Sequence, residues 1–182
     1  SNSSQIAVKN IYYSVSNFSN ISFIEVTDTG TQFGDIRFNI ASTTLMNKYF
    51  AGSLGVSFNI GDPRNGHLEG DIFFVENFAH QYPTSGSKMG LYTYIHEIGH
   101  SLGLAHPFEA SNNSPHHTFG KEMPYGDYER DSYIYTAEAY GFKDGPATRG
   151  NPMPSTFMID DVVSLQHLYG KNTDYSKGNN KY

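Results

Sequence analysis

The segment HEIGHSLGLAH, which begins at position 96, constrains this chain more than any other feature of its sequence. His96 and His100 are four residues apart, so an α-helix places both imidazoles on one face, within reach of a single metal ion. Glu97 lies beside them on the edge of that face. Gly103 then allows a sharp turn, because glycine adopts a positive φ without steric cost, and the turn brings His106 back towards the same point. The segment therefore predicts a helix, a glycine turn and three convergent histidines.

Three histidine ligands are typical of a catalytic zinc site, because they leave the fourth coordination position open for water. Glu97 is placed to accept a proton from that metal-activated water rather than to bind the metal. The alternative is a helix that carries two histidines by chance. The continuation of the pattern to His106, on an amphipathic helix after a strand-rich half, weighs against that alternative.

The composition narrows the partners and ligands that the chain can have. The chain has 182 residues, a size typical of one domain. It contains no cysteine, so any metal must be bound by His, Asp or Glu. The 12 Lys and Arg residues are scattered and the formal net charge is −6, so we expect no nucleic acid partner. No apolar stretch reaches membrane-spanning length, so we expect no membrane insertion.

Hydrophobic periodicity predicts an α+β chain. Apolar residues recur at helical spacing near the start, in the histidine segment and near the end, whereas the first half alternates apolar and polar residues as strands do. Ser155 or Thr156 is the predicted cap of the last helix. The predicted helices cover residues 5–17, 91–102 and 156–169, the predicted strands cover residues 21–26, 35–40, 55–60 and 70–75, and a long irregular stretch covers residues 107–154.

Beyond the histidine segment, three further pieces of sequence match one family. Residues 21–26 and 35–38 (ISFIEV and DIRF) match its first strands, residues 70–73 (GDIF) match the strand before its active-site helix, and residues 160–170 (DDVVSLQHLYG) match its C-terminal helix. On these residues the chain resembles the metzincin peptidases, and within them the serralysins, over about residues 5–171.

The resemblance implies a zincin-like fold: a twisted five-stranded, mostly parallel sheet, an active-site helix and a C-terminal helix, with a zinc cleft between upper and lower parts. It implies that residues 55–60 form an edge strand that aligns an extended peptide substrate. It also implies a secreted bacterial enzyme whose C-terminal calcium-binding repeats lie outside this sequence. We therefore expect a catalytic domain at residues 1–171 and a polar tail, or the start of a linker, at residues 172–182.

The chain departs from the family at one turn. Serralysins place a methionine turn, roughly Ser-Val-Met-Ser-Tyr, beneath the zinc, and its Tyr reaches the metal or the transition-state oxygen. The best match is residues 132–136, where Ile134 replaces the methionine as an apolar floor and Thr136 stands at the Tyr position. We expect Tyr133 or Tyr135 to replace the missing catalytic Tyr after a one-residue shift of the backbone. The alternative is that both tyrosines pack in the core or face solvent.

Two functions fit these residues. The first is a zinc-dependent endopeptidase that hydrolyses protein substrates by metal-activated water, with His96, His100 and His106 as zinc ligands and Glu97 as general base. The second is a zinc-stabilised binding or adhesion domain with weak or lost proteolytic activity, which only the altered turn supports. Retention of Glu97 favours the enzyme, because a structural zinc site does not need that carboxylate.

Other residues and the resemblance add further expectations. His116 and His117 follow the histidine segment and could approach the same site, although adjacent loop histidines are usually exposed. Asp35 and Asp71 each begin a predicted strand, so they are either turn-forming carboxylates or ligands for Ca²⁺. We expect a secreted monomer that acts on protein or peptide substrates.

Overall fold

The structure is a computed structural model, and it describes residues 2–29, 31–81, 88–108, 130–142, 145–146 and 153–177. None of the helices in these ranges is both long enough and apolar enough to cross a membrane. The helices are α1 (Asn2–Phe18), α2 (Thr43–Tyr49), α3 (Glu76–Gln81), α4 (Lys88–Ser101) and α5 (Ile159–Tyr169), with a 3-10 helix at Pro63–Leu68. The strands are β1 (Phe38–Ala41), β2 (Gly55–Ser57), β3 (Ile72–Val75), β4 (Gly141–Phe142) and β5 (Gly145–Pro146).

Three of the strands form a mixed sheet in the order β1–β3–β2. β1 pairs with β3 in parallel, with Phe38 opposite Ile72, and β2 pairs antiparallel with the other side of β3, with Gly55 opposite Phe74. β2 is therefore an edge strand of this sheet, as predicted for residues 55–60. β4 and β5 form a separate antiparallel pair. The α+β class is confirmed, whereas the five-stranded, mostly parallel sheet is not, because the described strands of the main sheet number three and are mixed.

The strand predicted for residues 21–26 is wrong, because this segment has no regular secondary structure. Ile21 and Phe23 pack against the core, so alternate side chains do face inward. Ile24 is 85% exposed, and the segment pairs with none of the described strands. Alternation thus marks burial on one side, whereas a strand also needs a partner for its backbone hydrogen bonds.

Helix α4 runs through the core and carries the histidine segment. Its predicted apolar stripe is confirmed, since Ile95 and Ile98, and Leu102 just after the helix, are each at most 1% exposed. The helix contacts β2, β3 and α1, and the ring centroid of Tyr94 lies 4.4 Å from that of Phe74 on β3. Burying a large aliphatic side chain contributes about 1.5–3 kcal/mol. The stripe therefore fixes the rotation of α4 and, with it, the direction of the histidine face.

Helix α5 completes the core on the C-terminal side. Leu165 is fully buried, and the helix ends at Gly170, whose φ is 81°, directly after the predicted end at residue 169. The predicted cap at residues 155–156 is wrong, because the helix begins only after Met158. The N–H of Met158 donates to the carboxylate of Asp161 at 2.8 Å. The acidic side chain at the third helical position thus satisfies the N–H of the residue that caps the helix.

The chain after α5 remains in contact with α1. Gln166 donates from Nε2 to the carbonyl of Phe18 at 2.8 Å. Asn172, the first residue of the predicted tail, donates from Nδ2 to the carbonyl of Ser16 at 2.6 Å. The two terminal helices are therefore joined at their ends, which holds α5 in position behind the histidine segment.

Candidate metal centre

The three histidines of the sequence pattern converge in space. Helix α4 places His96 and His100 one turn apart on one face, and their Nε2 atoms lie 3.1 Å apart. The chain then turns at Gly103, whose φ of 97° lies in the region that favours glycine. The turn brings Nε2 of His106 to 3.0 Å from Nε2 of His100. Among the described residues, these three form the cluster of His, Cys, Asp or Glu side chains that could hold a metal ion.

Backbone carbonyls fix the orientation of two of these rings. Nδ1 of His96 lies 2.9 Å from the carbonyl of Ala137, and Nδ1 of His100 lies 2.9 Å from the carbonyl of Leu104. Because a carbonyl only accepts, each Nδ1 carries the proton and each Nε2 presents a lone pair to the cluster. Burial, and then the neighbouring imidazoles of His100 and His106, lower the pKa of His96 well below its usual value. The His96 ring is therefore kept neutral, as a metal ligand must be.

The donor set of the cluster fits a zinc ion. Lone pairs that face one another at 3.0 and 3.1 Å repel unless a cation lies between them. Tetrahedral zinc with Zn–N distances of about 2.0–2.1 Å separates its nitrogen ligands by about 3.3 Å, close to these values. Neutral imidazole is also a ligand that zinc commonly takes in proteins.

Glu97 follows His96 in helix α4, and its side chain contacts the edge strand β2. Its side chain is buried, and the hydroxyl of Ser57 lies 2.9 Å from its Oε2 and 2.6 Å from its backbone carbonyl. A Cβ at Gly55 would lie 2.7 Å from Oε1 of Glu97, so a larger residue at this point of β2 would displace the Glu97 side chain. Burial raises the pKa of Glu97 to about 8, and the Ser57 hydrogen bond acts in the opposite direction.

An irregular turn at residues 131–140, which we call the lower turn, closes the other side of the cluster. Asp161 in the first turn of α5 holds it in place. The hydroxyl of Thr136 donates to Oδ1 of Asp161 at 2.5 Å, and the N–H of Ala137 donates to Oδ2 at 2.8 Å. With the bond from the N–H at the start of α5, this buried carboxylate accepts three hydrogen bonds.

The lower turn is also bound to α4, through two of its carbonyls. The carbonyl of Ala137 accepts from His96, and the carbonyl of Ala139 accepts from the hydroxyl of Tyr92 at 2.8 Å. Because one of these carbonyls sets the direction of a histidine ring, the position of the lower turn controls the geometry of the cluster.

Tyr140, at the end of the lower turn, has its ring against the histidines. Its ring centroid lies 4.7 Å from that of His106 and 5.7 Å from that of His96. Tyr140 was not among the residues predicted from the sequence, although the sequence carries a pattern that could have indicated it. Residues 136–140 read Thr-Ala-Glu-Ala-Tyr, which has the same outline as Ser-Val-Met-Ser-Tyr: a hydroxyl residue, an apolar residue, a variable residue, a small residue and Tyr.

In this register, Glu138 occupies the position of the methionine. It is 1% exposed, and its Oε2 lies 3.3 Å from Nδ1 of His96 and 3.4 Å from Nε2 of His100. The apolar floor predicted at Ile134 is wrong, because Ile134 is 59% exposed. The residue beneath the cluster is Glu138, four positions after Ile134, and its side chain is a carboxylate.

The two tyrosines selected from the sequence have other contacts. Tyr133 is buried and packs against Tyr92, with 5.0 Å between their ring centroids. Tyr135 lies beneath Arg130, whose guanidinium carbon is 5.2 Å from the ring centroid. A catalytic role for Tyr133 or Tyr135 stays a prediction, and these contacts give it no support.

The other candidate ligands are placed as follows. Asp71 is buried, and its Oδ1 lies 2.6 Å from Nε of Arg37 in an ion pair. Its carboxylate thus has a partner within the protein, and a calcium site is not shown. His116 and His117, with much of the irregular stretch predicted for residues 107–154, lie outside the described residues.

Comparison with known proteins supports the interpretation of the histidine segment. No family model matches the chain. The chain is similar to Serralysin C of Dickeya chrysanthemi, with 30% identity over 121 residues, and to Serralysin of Proteus mirabilis, with 32% identity over 120 residues. It is also similar to Metalloprotease AprA of Pseudomonas entomophila, with 27% identity over 124 residues.

These matches cover 66%, 63% and 64% of this chain, but only 24%, 23% and 25% of the respective relatives. The chain thus spans about a quarter of the length of the curated relatives that it matches. Two proteins named Serralysin and one named Metalloprotease AprA match about two thirds of the chain. Together with the three convergent histidines, these similarities support a serralysin-like metzincin domain.

Proposed function

We propose that this chain is the catalytic domain of a zinc-dependent endopeptidase, with His96, His100 and His106 as zinc ligands and Glu97 as general base. The observation that carries the proposal is the convergence of three imidazole Nε2 atoms, with the buried side chain of Glu97 next to His96 in the same helix. Similarity to proteins named Serralysin and Metalloprotease AprA supports the same chemistry. We assign the domain to residues 1–171 and its fold to the zincin-like class.

Glu97 performs the proton transfers in this proposal. A zinc ion, when bound, polarises a peptide carbonyl and lowers the pKa of water. Glu97 accepts the proton of the attacking water and delivers it to the amine of the leaving peptide. This role needs an ionised carboxylate before the attack. Burial raises the pKa of Glu97 to about 8 against the opposing hydrogen bond from Ser57, and a positive charge at the histidines would lower it.

The substrate in this proposal is an extended protein segment that adds to β2. In the described sheet, β2 pairs with β3 on one side and lies at the edge. Gly55 and Ser57 of this strand contact the side chain of Glu97, so a peptide that follows the strand passes the general base. Backbone hydrogen bonds to an added strand align a peptide with little dependence on its sequence.

We further propose that Tyr140 donates a hydrogen bond to the oxyanion that develops at the peptide carbonyl. Its ring packs on His106 and lies near His96, and the side chain is 37% exposed, which leaves it accessible to a substrate. The resemblance assigns this role to the last residue of the methionine turn, which is the position of Tyr140 in the corrected register.

The resemblance also supports a secreted, monomeric enzyme that acts on protein substrates. Calcium is not part of the proposal, because the carboxylate of Asp71 is paired with Arg37. We keep residues 172–182 as a polar tail or linker, although Asn172 itself is bound to α1.

A zinc-stabilised binding or adhesion domain is the second candidate, and Glu138 is the residue that favours it. A negative charge close to a metal ion weakens the ability of that ion to polarise a carbonyl. Glu97 and Tyr140 favour the enzyme, because a binding domain needs neither a general base nor a phenol beside the histidines.

Digestion of a denatured protein by the zinc-loaded chain separates the two candidates. For the endopeptidase we expect fragments that stop appearing when a chelator is added and that return when zinc is restored. For the binding domain we expect a chain that binds zinc but produces no fragments, whether zinc is present, removed by the chelator or restored.

A further inference from the structure

Glu138 lies between the lower turn and α4. On the side of the lower turn, its backbone N–H donates to Oγ1 of Thr136 at 2.9 Å. On the side of α4, its Oε1 occupies the space that a Cβ at residue 99 would need, so Gly99 leaves room for this oxygen. The other oxygen, Oε2, lies 3.3 Å from His96 and 3.4 Å from His100. The carboxylate therefore lies at the floor of the histidine cluster.

A carboxylate in this position changes the electrostatics of the cluster. Glu138 is 1% exposed, and the charge of a carboxylate withdrawn from water is costly unless opposite charge or hydrogen bonds compensate it. The imidazoles of His96 and His100 act as metal ligands only when they are neutral. A divalent cation held by these imidazoles would supply positive charge within the same low-dielectric region as the carboxylate.

We propose that Glu138 is an anionic part of the metal centre that increases its affinity for a divalent cation. The inference rests on the proposed zinc site of His96, His100 and His106. The new element is the charge: this site carries one more negative charge than a site with methionine beneath the histidines, and so binds its metal more tightly. Glu138 acts here as a positioning residue behind the histidines, which remain the ligands.

The test is the zinc dissociation constant, measured by competition with a chromogenic chelator, for the wild type and for Glu138→Gln. Glutamine keeps the shape of the side chain and removes only the charge. Changes behind the first layer of ligands commonly alter metal affinity by about 10–100-fold, so we expect the constant to rise at least about tenfold. Glu25→Gln is the control for net charge, because Glu25 is exposed and pairs with Lys9, and its constant should equal that of the wild type.

A purely structural role of Glu138 gives a different result. In that case the substitution would lower the melting temperature of the metal-free protein and of the zinc-loaded protein by the same amount. Our inference instead requires that zinc raise the melting temperature less in Glu138→Gln than in the wild type. Should Glu138→Gln fail to fold, Glu138→Met provides an uncharged side chain of similar volume for both measurements.

Two outcomes overturn the inference, and they are distinct. If the uncharged variant binds zinc as tightly as the wild type while His100→Ala loses it, the zinc site stands and the role of Glu138 is refuted. If His100→Ala also binds zinc as tightly as the wild type, the proposed zinc site fails and the inference fails with it.

Discussion

The two sides of the histidine cluster are built in different ways. On the side of α4, His96, His100 and the proposed general base Glu97 lie on one regular helix, whose hydrogen bonds join residues four apart. On the side of the lower turn, the contacts join distant parts of the chain: Ala137 lies 41 positions from His96, and Thr136 lies 25 positions from Asp161. Local sequence thus places the proposed ligands, and a distant carbonyl orients the ring of His96.

If the lower turn depends on distant contacts, removing its anchor should have the largest effect on stability. Asp161→Ala removes an acceptor of three buried hydrogen bonds and leaves two backbone N–H groups without it. Each such loss costs about 1–3 kcal/mol, so we expect the free energy of unfolding to fall by about 3–5 kcal/mol. Urea denaturation of the metal-free protein measures this quantity.

Asp174→Ala is the matched control for that variant. Asp174 is exposed and pairs only locally, with Lys177, so its loss should change the free energy of unfolding by less than about 0.5 kcal/mol. Equal stability of the two variants would show that the lower turn does not depend on Asp161.

The next largest effect should come from the phenol of the lower turn. Tyr140→Phe keeps the ring contacts with His106 and His96 and removes the hydroxyl alone. Loss of one oxyanion donor typically costs about 10²–10³ in rate, so we expect kcat for a peptide substrate to fall by about this factor while zinc content is unchanged. A variant with the kcat of the wild type would remove Tyr140 from the mechanism.

A smaller effect should appear on the side of α4, at the hydrogen bond between β2 and the general base. Ser57→Ala removes the hydroxyl that lies 2.9 Å from Oε2 of Glu97. A hydrogen bond of this kind contributes about 0.5–1.5 kcal/mol, so we expect kcat to fall by roughly threefold to tenfold. Ser57→Thr restores a hydroxyl and should recover part of the loss. If both variants retain the wild-type kcat, β2 does not position Glu97.

The smallest effects should be those of the tyrosines chosen from the sequence. Tyr133 packs on Tyr92, and Tyr135 lies beneath Arg130, so Tyr133→Phe and Tyr135→Phe should each change kcat by no more than about threefold, as substitutions away from a site do. If kcat fell in either variant as much as we expect for Tyr140→Phe, the match of residues 132–136 to the methionine turn would be correct after all.

The same contrast explains what the sequence could predict. The apolar stripe of α4 and the spacing of His96 and His100 follow from the period of a helix, and both are confirmed. The lower turn has no periodic pattern, so only a match of five residues to the methionine turn could predict which residue lies beneath the histidines. That match pointed to Ile134, four positions before the residue that lies there.

Contacts between residues that are distant in the sequence could not be predicted from local sequence patterns. The bond from Ser57 to Glu97 joins residues 40 positions apart. Asp161, which entered the sequence analysis only as part of the segment that matches the C-terminal helix of the family, is the anchor of the lower turn. A one-sided alternation of apolar residues likewise suggested a strand at residues 21–26, where the structure provides no partner for it.

The most direct test of the account is the peptidase activity of Glu97→Gln, compared with the wild type at equal zinc loading. Glutamine preserves the size of the buried side chain beside Ser57 and removes its ability to accept a proton. We expect kcat for a fluorogenic peptide to fall by about 10²–10⁴, the usual cost of losing a general base, with zinc content and melting temperature nearly unchanged. Hydrolysis at the wild-type rate would contradict the assignment of Glu97 as the base, and loss of zinc from the variant would show that Glu97 contributes to metal binding, contrary to the role in proton transfer alone.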